Sequence, residues 1–268
     1  LKIYSGGLGF LAGSHLRSAF ELNQNMIGVG ILWKYGYYDQ ARNQDQSLQV
    51  TFMEKMYSFL EDTGIKYQIL IHDHPVWVKA YYLAPNTFCS APLFLLSTDL
   101  PENDYVSQTI THRLYDANVA TKVAQFILLG VAGAKLIDEI GFNPDVYHLN
   151  ESHALPLAFY LYSQFKNEED VRKRLVFTNH TSESAGNQKN QVRFLEKMSF
   201  FCNIPLAELN MLIDSNNQIV DHTLTCLRLS GKANGVSKMH REILCKTWTS
   251  KAEICPILSI TNAQDFSF

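Results

Sequence analysis

Polar side chains that could bind a sugar stand directly after two apolar, strand-like segments in the second half of the chain. Asn150, Glu151 and His153 follow the first segment. Asn179 and His180 follow the second segment. An imidazole can donate or accept a hydrogen bond from a sugar hydroxyl, with its tautomer set by the contact of its other nitrogen. The pattern is compatible with a sugar-binding site, but from the residues alone histidines that only satisfy the interior are the favoured interpretation.

A glycine-rich stretch near the start of the chain could bind an anion. Residues 4–13 read Tyr-Ser-Gly-Gly-Leu-Gly-Phe-Leu-Ala-Gly and lead into an amphipathic segment. Glycines allow close backbone approach, and the N–H groups at a helix start favour a phosphate oxygen. An anion site at Gly6 and Gly7 is therefore one interpretation of this stretch, but the residues alone favour a plain strand-to-helix turn. The Gly-Gly-x-Gly spacing differs from the dinucleotide fingerprint, so it gives little support to NAD binding.

Other chemistries have weaker support. The residues His72-Asp73-His74 lie in a probable turn with no third ligand nearby, so we predict no metal site there. Ser152 is adjacent to His153, but no Gly-x-Ser-x-Gly elbow supports a catalytic triad. Glu151 could pair with another acid as in a hydrolase, yet the sequence does not determine the separation of two carboxylates.

The composition is that of an ordinary globular protein. Of 268 residues, 46% are hydrophobic and 18% charged, and the net charge is −3. This charge gives no basis for binding nucleic acid or an anionic membrane, and no apolar run reaches the length of a membrane span. The five cysteines are odd in number and scattered, which favours free thiols in a reducing, cytoplasmic setting.

The elements that position these groups alternate between strand and helix. Residues 145–149, 174–178, 233–236 and 256–261 are predicted strands separated by helices, which indicates right-handed βαβ units and an open parallel sheet. Ligands of such sheets bind beyond the carboxyl ends of the strands. We therefore expect the histidine segments and the glycine loop to meet at one edge of the sheet.

The first half is less regular. It is predicted to hold a short helix at 15–22, a strand at 26–32, an aromatic loop at 33–40, a helical patch at 52–60, further strands at 67–71, 76–82 and 92–97, and a long helix at 118–140. Small residues at 128–134 are expected to allow close packing inside that helix. We predict one α/β domain over residues 1–268.

The order of these motifs resembles the N-terminal catalytic domain of the α-glucan phosphorylases, which act on glycogen, starch and maltodextrin. The matching segments cover nearly the whole chain in collinear order. They are 4–13, 28–40, 98–103, 111–115, 146–154, 177–181, 234–240 and 261–262. The match is greatest with the bacterial and archaeal branch.

The resemblance implies a Rossmann-like half of a GT-B type glycosyltransferase, with the active site between this domain and a C-terminal domain. It implies pyridoxal phosphate as cofactor, and α-1,4-glucan and inorganic phosphate as substrates that yield glucose 1-phosphate. Gly6 and Gly7 would then offer amides to the cofactor and substrate phosphates, and His153 would bond a glucosyl hydroxyl. Asn150, Glu151, Asn179, His180 and Tyr115 would line the substrate site. A homodimer is usual in the family.

Four segments depart from the family pattern, at Ser14, 122–126, 182–188 and 262–265. They motivate a second hypothesis, a phosphorylase-derived carbohydrate-binding or scaffold protein without activity. A synthase that uses a sugar nucleotide is a third hypothesis, which the segments at 150–153 and 234–240 disfavour. Because the cofactor lysine of the family lies in the C-terminal domain, residues 1–268 alone are expected to be inactive and to bind no pyridoxal phosphate.

Overall fold

The protein is described by a computed structural model that covers residues 6–181, 186–213, 218–250 and 253–266. Tyr4, Ser5 and much of the 182–188 segment therefore lie outside the described residues. The chain forms two compact units. The first comprises Leu1–Ile69, Pro75–Gln125 and Ala263–Phe268, and the second Leu70–His74 and Phe126–Asn262. The prediction of one domain within a larger two-domain protein stays a prediction.

The first unit is built around a mixed sheet. Its elements in chain order are α1 (Gly7–Glu21), β1 (Gly28–Ile31), β2 (Asp39–Arg42), β3 (Leu48–Thr51), β4 (Glu61–Ile71), β5 (His74–Leu83), α2 (Pro85–Phe88), β6 (Leu93–Ser97) and α3 (Tyr105–Thr109). The four-stranded sheet has the order β1-β6-β5-β4, while β2 and β3 form a separate two-stranded ribbon. β1 runs parallel to β6, and β5 runs antiparallel to it.

The predicted glycine loop is mostly helix. α1 begins at Gly7, so Gly9 and Gly13 lie inside it, and only Gly6 takes the positive φ, 81°, that favours glycine. The prediction of a helix starting at residue 15 was therefore wrong by two turns. Glycine's helix propensity is about 1 kcal/mol per residue lower than that of alanine, so the sequence does not indicate that the helix begins at Gly7. In the folded protein, tertiary contacts override this difference.

The predicted helix at 52–60 was also wrong, because this stretch has no regular structure in the described chain. The strands at 67–71, 76–82 and 92–97 were confirmed within β4, β5 and β6. The tight turn between β4 and β5 lies at His72 and Asp73, both with φ of 56°, as a two-residue hairpin requires.

The second unit contains the predicted parallel sheet. Its elements after α4 (Val119–Ile127) are α5 (Gly133–Glu139), β7 (Tyr147–Asn150), α6 (Pro156–Phe165), α7 (Glu168–Arg174), β8 (Leu175–Asn179), β9 (Lys189–Gln191), α8 (Val192–Lys197), α9 (Leu206–Ile213), β10 (Ile219–Asp221), α10 (His222–Leu229), β11 (Lys232–Gly235), α11 (Lys238–Trp248) and β12 (Ile257–Ser259). The sheet order is β12-β11-β8-β7, and every pair in it is parallel. The α/β fold class with flanking helices was thus confirmed.

The core of this unit lies against the sheet. Leu149 of β7 and Phe177 of β8 are fully buried, as are Phe159 of α6 and Phe200 after α8. Ser237 caps α11 by accepting a hydrogen bond from the backbone N–H of His240. Such apolar strands with polar carboxyl ends leave hydrogen-bonding groups along one edge of the sheet.

α4 and α5 belong to one helical rod, Val119–Glu139, joined by a π-helical stretch at Leu128–Ala132. The rod is long and apolar enough to cross a membrane, but most of its apolar part is buried inside the protein, as in the core helix of a globular domain. The predicted close packing of small residues was confirmed at Gly130. A Cβ there would lie 2.6 Å from the backbone nitrogen of Leu157.

Candidate functional site

The carboxyl ends of three neighbouring strands place polar side chains in one row. Asn150 of β7 and Asn234 of β11 both pair with Thr178 of β8. The Thr178 hydroxyl donates to Asn234 Oδ1 at 2.7 Å, and it therefore accepts the 2.7 Å bond from His148 Nε2. The row links all three strand ends and makes this edge a rigid support for groups beyond it.

Glu151 joins the ends of β7 and β8. Its carboxylate accepts hydrogen bonds from the backbone N–H groups of His180, Thr181 and Ser152 and from Asn179 Nδ2. The residue is buried, and burial raises its pKa although these donors oppose the shift. Its backbone has φ 68° and ψ 174°, a region that almost only glycine occupies. The carboxylate therefore stabilises a strained backbone at the strand end.

His180 presents a neutral imidazole at the same edge. Its Nε2 bonds Asn150 Oδ1 at 2.6 Å, and because an amide oxygen only accepts, Nε2 carries the proton. Burial, with smaller contributions from His148, His240 and His153, lowers the pKa to about 4. The ring is therefore neutral at pH 7, and its Nδ1 is an acceptor that suits a sugar hydroxyl.

His153 lies in the one-turn 3-10 helix Ser152–Ala154 that follows Glu151. Its ring contacts Phe126 with centroids 5.3 Å apart, and burial lowers its pKa. Within the described residues its imidazole has no hydrogen-bond partner. The residue thus lies beside the site with its hydrogen-bonding capacity unused.

The sequence prediction placed five candidate residues on the second unit, and the structure brings four of them into direct contact. These are Asn150, Glu151, Asn179 and His180, with His153 one turn away. Gly6, Gly7 and Tyr115 belong to the first unit, so their predicted place in the same site stays a prediction. No group of three metal-ligating side chains occurs in the described part of the chain.

The start of α1 offers its own binding geometry. Gly6 caps the helix without a side-chain bond, and the first turn holds no acidic residue. No atom lies within 4 Å of the place where a Cβ of Gly6 or Gly7 would be. A helix start with no side-chain cap and with open space around it among the described residues fits a phosphate group.

Sequence reasoning missed His222, the first residue of α10. It is fully buried, and neither ring nitrogen has a hydrogen-bond partner among the described residues. The ring lies 5.8 Å from that of Phe126 and 5.4 Å from that of Phe200. Burial, with a smaller contribution from His153, lowers the pKa of His222 to about 3. A histidine after the helix-capping Asp221 was the available signal, but it does not reveal burial.

Acid is expected to destabilise the protein through His222. Below pH 6.5, the usual pKa of histidine, the His222 imidazole binds a proton in the unfolded state. In the folded state it stays neutral down to about pH 3. The free energy of unfolding should therefore fall with decreasing pH by up to about 1.4 kcal/mol per pH unit in this window. Urea denaturation measures the decrease in the free energy of unfolding from pH 7 to pH 5. This decrease should be about 2 kcal/mol smaller in His222→Phe than in the wild type. His74→Phe at the exposed hairpin turn is the control, and parallel pH profiles for all three proteins would contradict the prediction.

A parallel sheet with flanking helices, whose carboxyl ends carry a neutral imidazole, amides and a buried carboxylate, fits an α/β fold of the GT-B type. Comparison with known proteins specifies the family. The chain belongs to the family described as the starch synthase catalytic domain, whose model matches residues 44–248.

The relatives include proteins named phosphorylases. The chain is 32% identical over 92% of its length to the maltodextrin phosphorylase of Thermococcus litoralis, and 28% identical over 99% to the glycogen phosphorylase of Aquifex aeolicus. It is 44% identical over 99% of its length to an uncharacterised protein of Methanocaldococcus jannaschii. The chain spans 50% of that last relative and 32% and 42% of the two phosphorylases. It is therefore a divergent, phosphorylase-like domain.

Proposed function

We propose that the chain supplies the sugar-binding half of an α-glucan phosphorylase, which in the whole protein transfers a terminal α-1,4-glucosyl unit to inorganic phosphate. The observation that supports this most is the neutral His180 imidazole. Asn150 holds its ring, and Glu151 holds its backbone. A sugar hydroxyl would donate a hydrogen bond to His180 Nδ1. The bond from Nε2 to Asn150 holds the ring in the orientation that this requires.

The remaining candidate residues take complementary roles in this proposal. His153, whose ring has no hydrogen-bond partner in the described part of the chain, would bond a second hydroxyl of the same glucosyl unit. Exposed Tyr115 would contact the glucan chain. In this proposal Asn179 and Glu151 hold the backbone at the strand end in place and do not contact the sugar.

The proposed cofactor is pyridoxal phosphate, which when bound supplies a phosphate group for acid–base exchange with the substrate phosphate. The uncapped start of α1 fits this group. The amides of Gly7 and the two residues after it would hold a phosphate oxygen, since an uncapped helix start favours an anion by about 0.3–1 kcal/mol or more. A homodimer in the cytoplasm, as the resemblance implies, is part of the same proposal.

The binding step can be tested on the chain as it stands. Maltotetraose titrated into the 268-residue protein should bind about five- to tenfold more weakly to His180→Ala, because one hydrogen bond is worth about 1–1.5 kcal/mol. His74→Ala, at an exposed turn, should bind as the wild type does. Equal affinity in all three proteins would contradict the role of His180.

The reaction is tested on the whole protein with maltodextrin and inorganic phosphate. Release of glucose 1-phosphate supports phosphorolysis. Binding of maltotetraose without release would favour the inactive, carbohydrate-binding alternative.

A second candidate function is glycosyl transfer from a sugar nucleotide, favoured by the match of residues 44–248 to a starch synthase domain. The two are separated by supplying ADP-glucose and maltodextrin without phosphate. Release of ADP would support the synthase, and its absence together with glucose 1-phosphate formation would support the phosphorylase.

A further inference from the structure

Four aromatic side chains of the first unit follow one another in contact. Tyr115 packs edge-on against Tyr37 with ring centroids 5.8 Å apart, and the rings of Tyr37 and Tyr38 are 4.2 Å apart. Phe52 comes next, 6.3 Å from Tyr38. Tyr115 and Phe52, at the two ends, are 56% and 38% exposed, and the two inner rings are half-buried. Together these four side chains form the aromatic row.

Backbone contacts fix one end of the row. The N–H of Leu114 donates to the carbonyl of Gly36 at 3.0 Å, and these residues directly precede Tyr115 and Tyr37. Gly36 has φ 67°, which suits glycine, but Tyr115 has φ 58°, which is uncommon for a residue with a large side chain. Such a conformation persists where the surrounding structure maintains it, and it occurs at ligand-binding sites.

A cation holds the other end of the row. The Arg113 guanidinium lies 4.1 Å from the Phe52 ring centroid, an attractive arrangement for a cation and a ring. Arg113 also pairs with Gly36 in a parallel β-bridge, so the same pair of segments supports both ends. The rings therefore have fixed positions before any ligand arrives. A preorganised surface of this kind loses little conformational entropy on binding.

The chemistry of the row suits a sugar chain. A pyranose ring has an apolar face of C–H groups and a rim of hydroxyls. Aromatic rings cover such a face, and a tyrosine hydroxyl can both donate and accept a hydrogen bond at the rim. The steps between neighbouring rings in the row are comparable with the size of one pyranose ring, so more than one sugar unit can contact it.

We propose that the aromatic row binds an α-1,4-glucan several units long, so that Tyr115 is the end of an extended binding surface and not a single contact. The proposal rests on the proposed function for the identity of the sugar, and on the first unit alone for the place of binding. It adds Tyr37, Tyr38 and Phe52 to the residues that contact glucan.

Calorimetric titration of maltoheptaose into the His180→Ala chain tests the row separately from the site at His180. Maltoheptaose should still bind this variant. Adding Tyr115→Leu or Phe52→Leu should weaken the remaining binding about fivefold each, because leucine keeps an apolar side chain but removes the flat ring. Tyr105→Leu is the control, since this tyrosine of α3 is 76% exposed and outside the row. It should leave the affinity unchanged.

The outcomes separate this proposal from the proposed function. Maltoheptaose that fails to bind the His180→Ala chain, or binds both row variants as tightly as the Tyr105→Leu control, would overturn the row. A Phe52→Leu chain that loses stability to urea at unchanged affinity would also overturn it, because the row would then only anchor the β2–β3 ribbon. If His180→Ala leaves wild-type binding intact and the row variants weaken it, the row stands and the role of His180 is wrong.

Discussion

Glu151→Ala is expected to lower the free energy of unfolding by about 3 kcal/mol and to weaken maltotetraose binding by at least tenfold. The substitution leaves the backbone N–H of His180 and the side-chain amide of Asn179 without their acceptor, and an unpaired buried donor costs about 1–3 kcal/mol. Water at the edge of the sheet replaces part of this loss. Because His180 takes its position from the same carboxylate, stability and binding should fall together.

Two further variants separate the carboxylate from the backbone strain. Glu151→Gly also removes the acceptor but relieves a conformation that costs about 1–3 kcal/mol in other residues, so it should be more stable than Glu151→Ala. Glu169→Ala removes an exposed carboxylate from the start of α7 and should change stability by less than about 1 kcal/mol. Urea denaturation and calorimetric titration give both quantities. A Glu151→Ala protein as stable as Glu169→Ala would contradict the role assigned to the carboxylate.

The parallel sheet could be predicted because the second half of the chain repeats one local pattern. Residues 145–261 alternate apolar strands with helices, and the strand-end polar residues must then share one edge. The first half could not be predicted so well. The residues at 52–60 have an apolar spacing that suits a helix, and Thr51 and Glu54 have the spacing of a capping box, yet the stretch has no regular structure. The exposed β2–β3 ribbon has no clear strand signature.

The candidate site was predictable in its residues but not in its geometry. Spacing alone indicates that Asn150 and His180 follow strands, and their 2.6 Å contact then follows from adjacent parallel strands. Residue spacing does not indicate that Glu151 turns back into the protein with a positive φ, since that conformation depends on hydrogen bonds to the next strand. His222 is beyond sequence reasoning for the same reason, because burial depends on what the rest of the unit places around it.

The close packing of Gly130 in the long helix is expected to support both the fold and the candidate site. The substitution Gly130→Ala tests this expectation. A Cβ at Gly130 would lie 2.6 Å from Leu157 N, 3.0 Å from Ala154 O and 3.0 Å from Pro156 Cβ. Real Cβ atoms do not approach backbone this closely, so the π-helical stretch and α6 must separate. We expect a loss of about 3 kcal/mol in the free energy of unfolding, within the range of overpacked cores, and Gly130→Val should fail to fold.

Ala154 directly follows His153, so the same displacement should reach the site. Gly130→Ala is therefore expected to weaken maltotetraose binding as well as stability, although Gly130 is buried in the helix and would not contact the sugar. Gly7→Ala, at a helix position with open space around it, should be neutral or stabilising by up to about 1 kcal/mol. Binding that stays unchanged in a destabilised Gly130→Ala protein would show that the helix supports the fold without positioning His153.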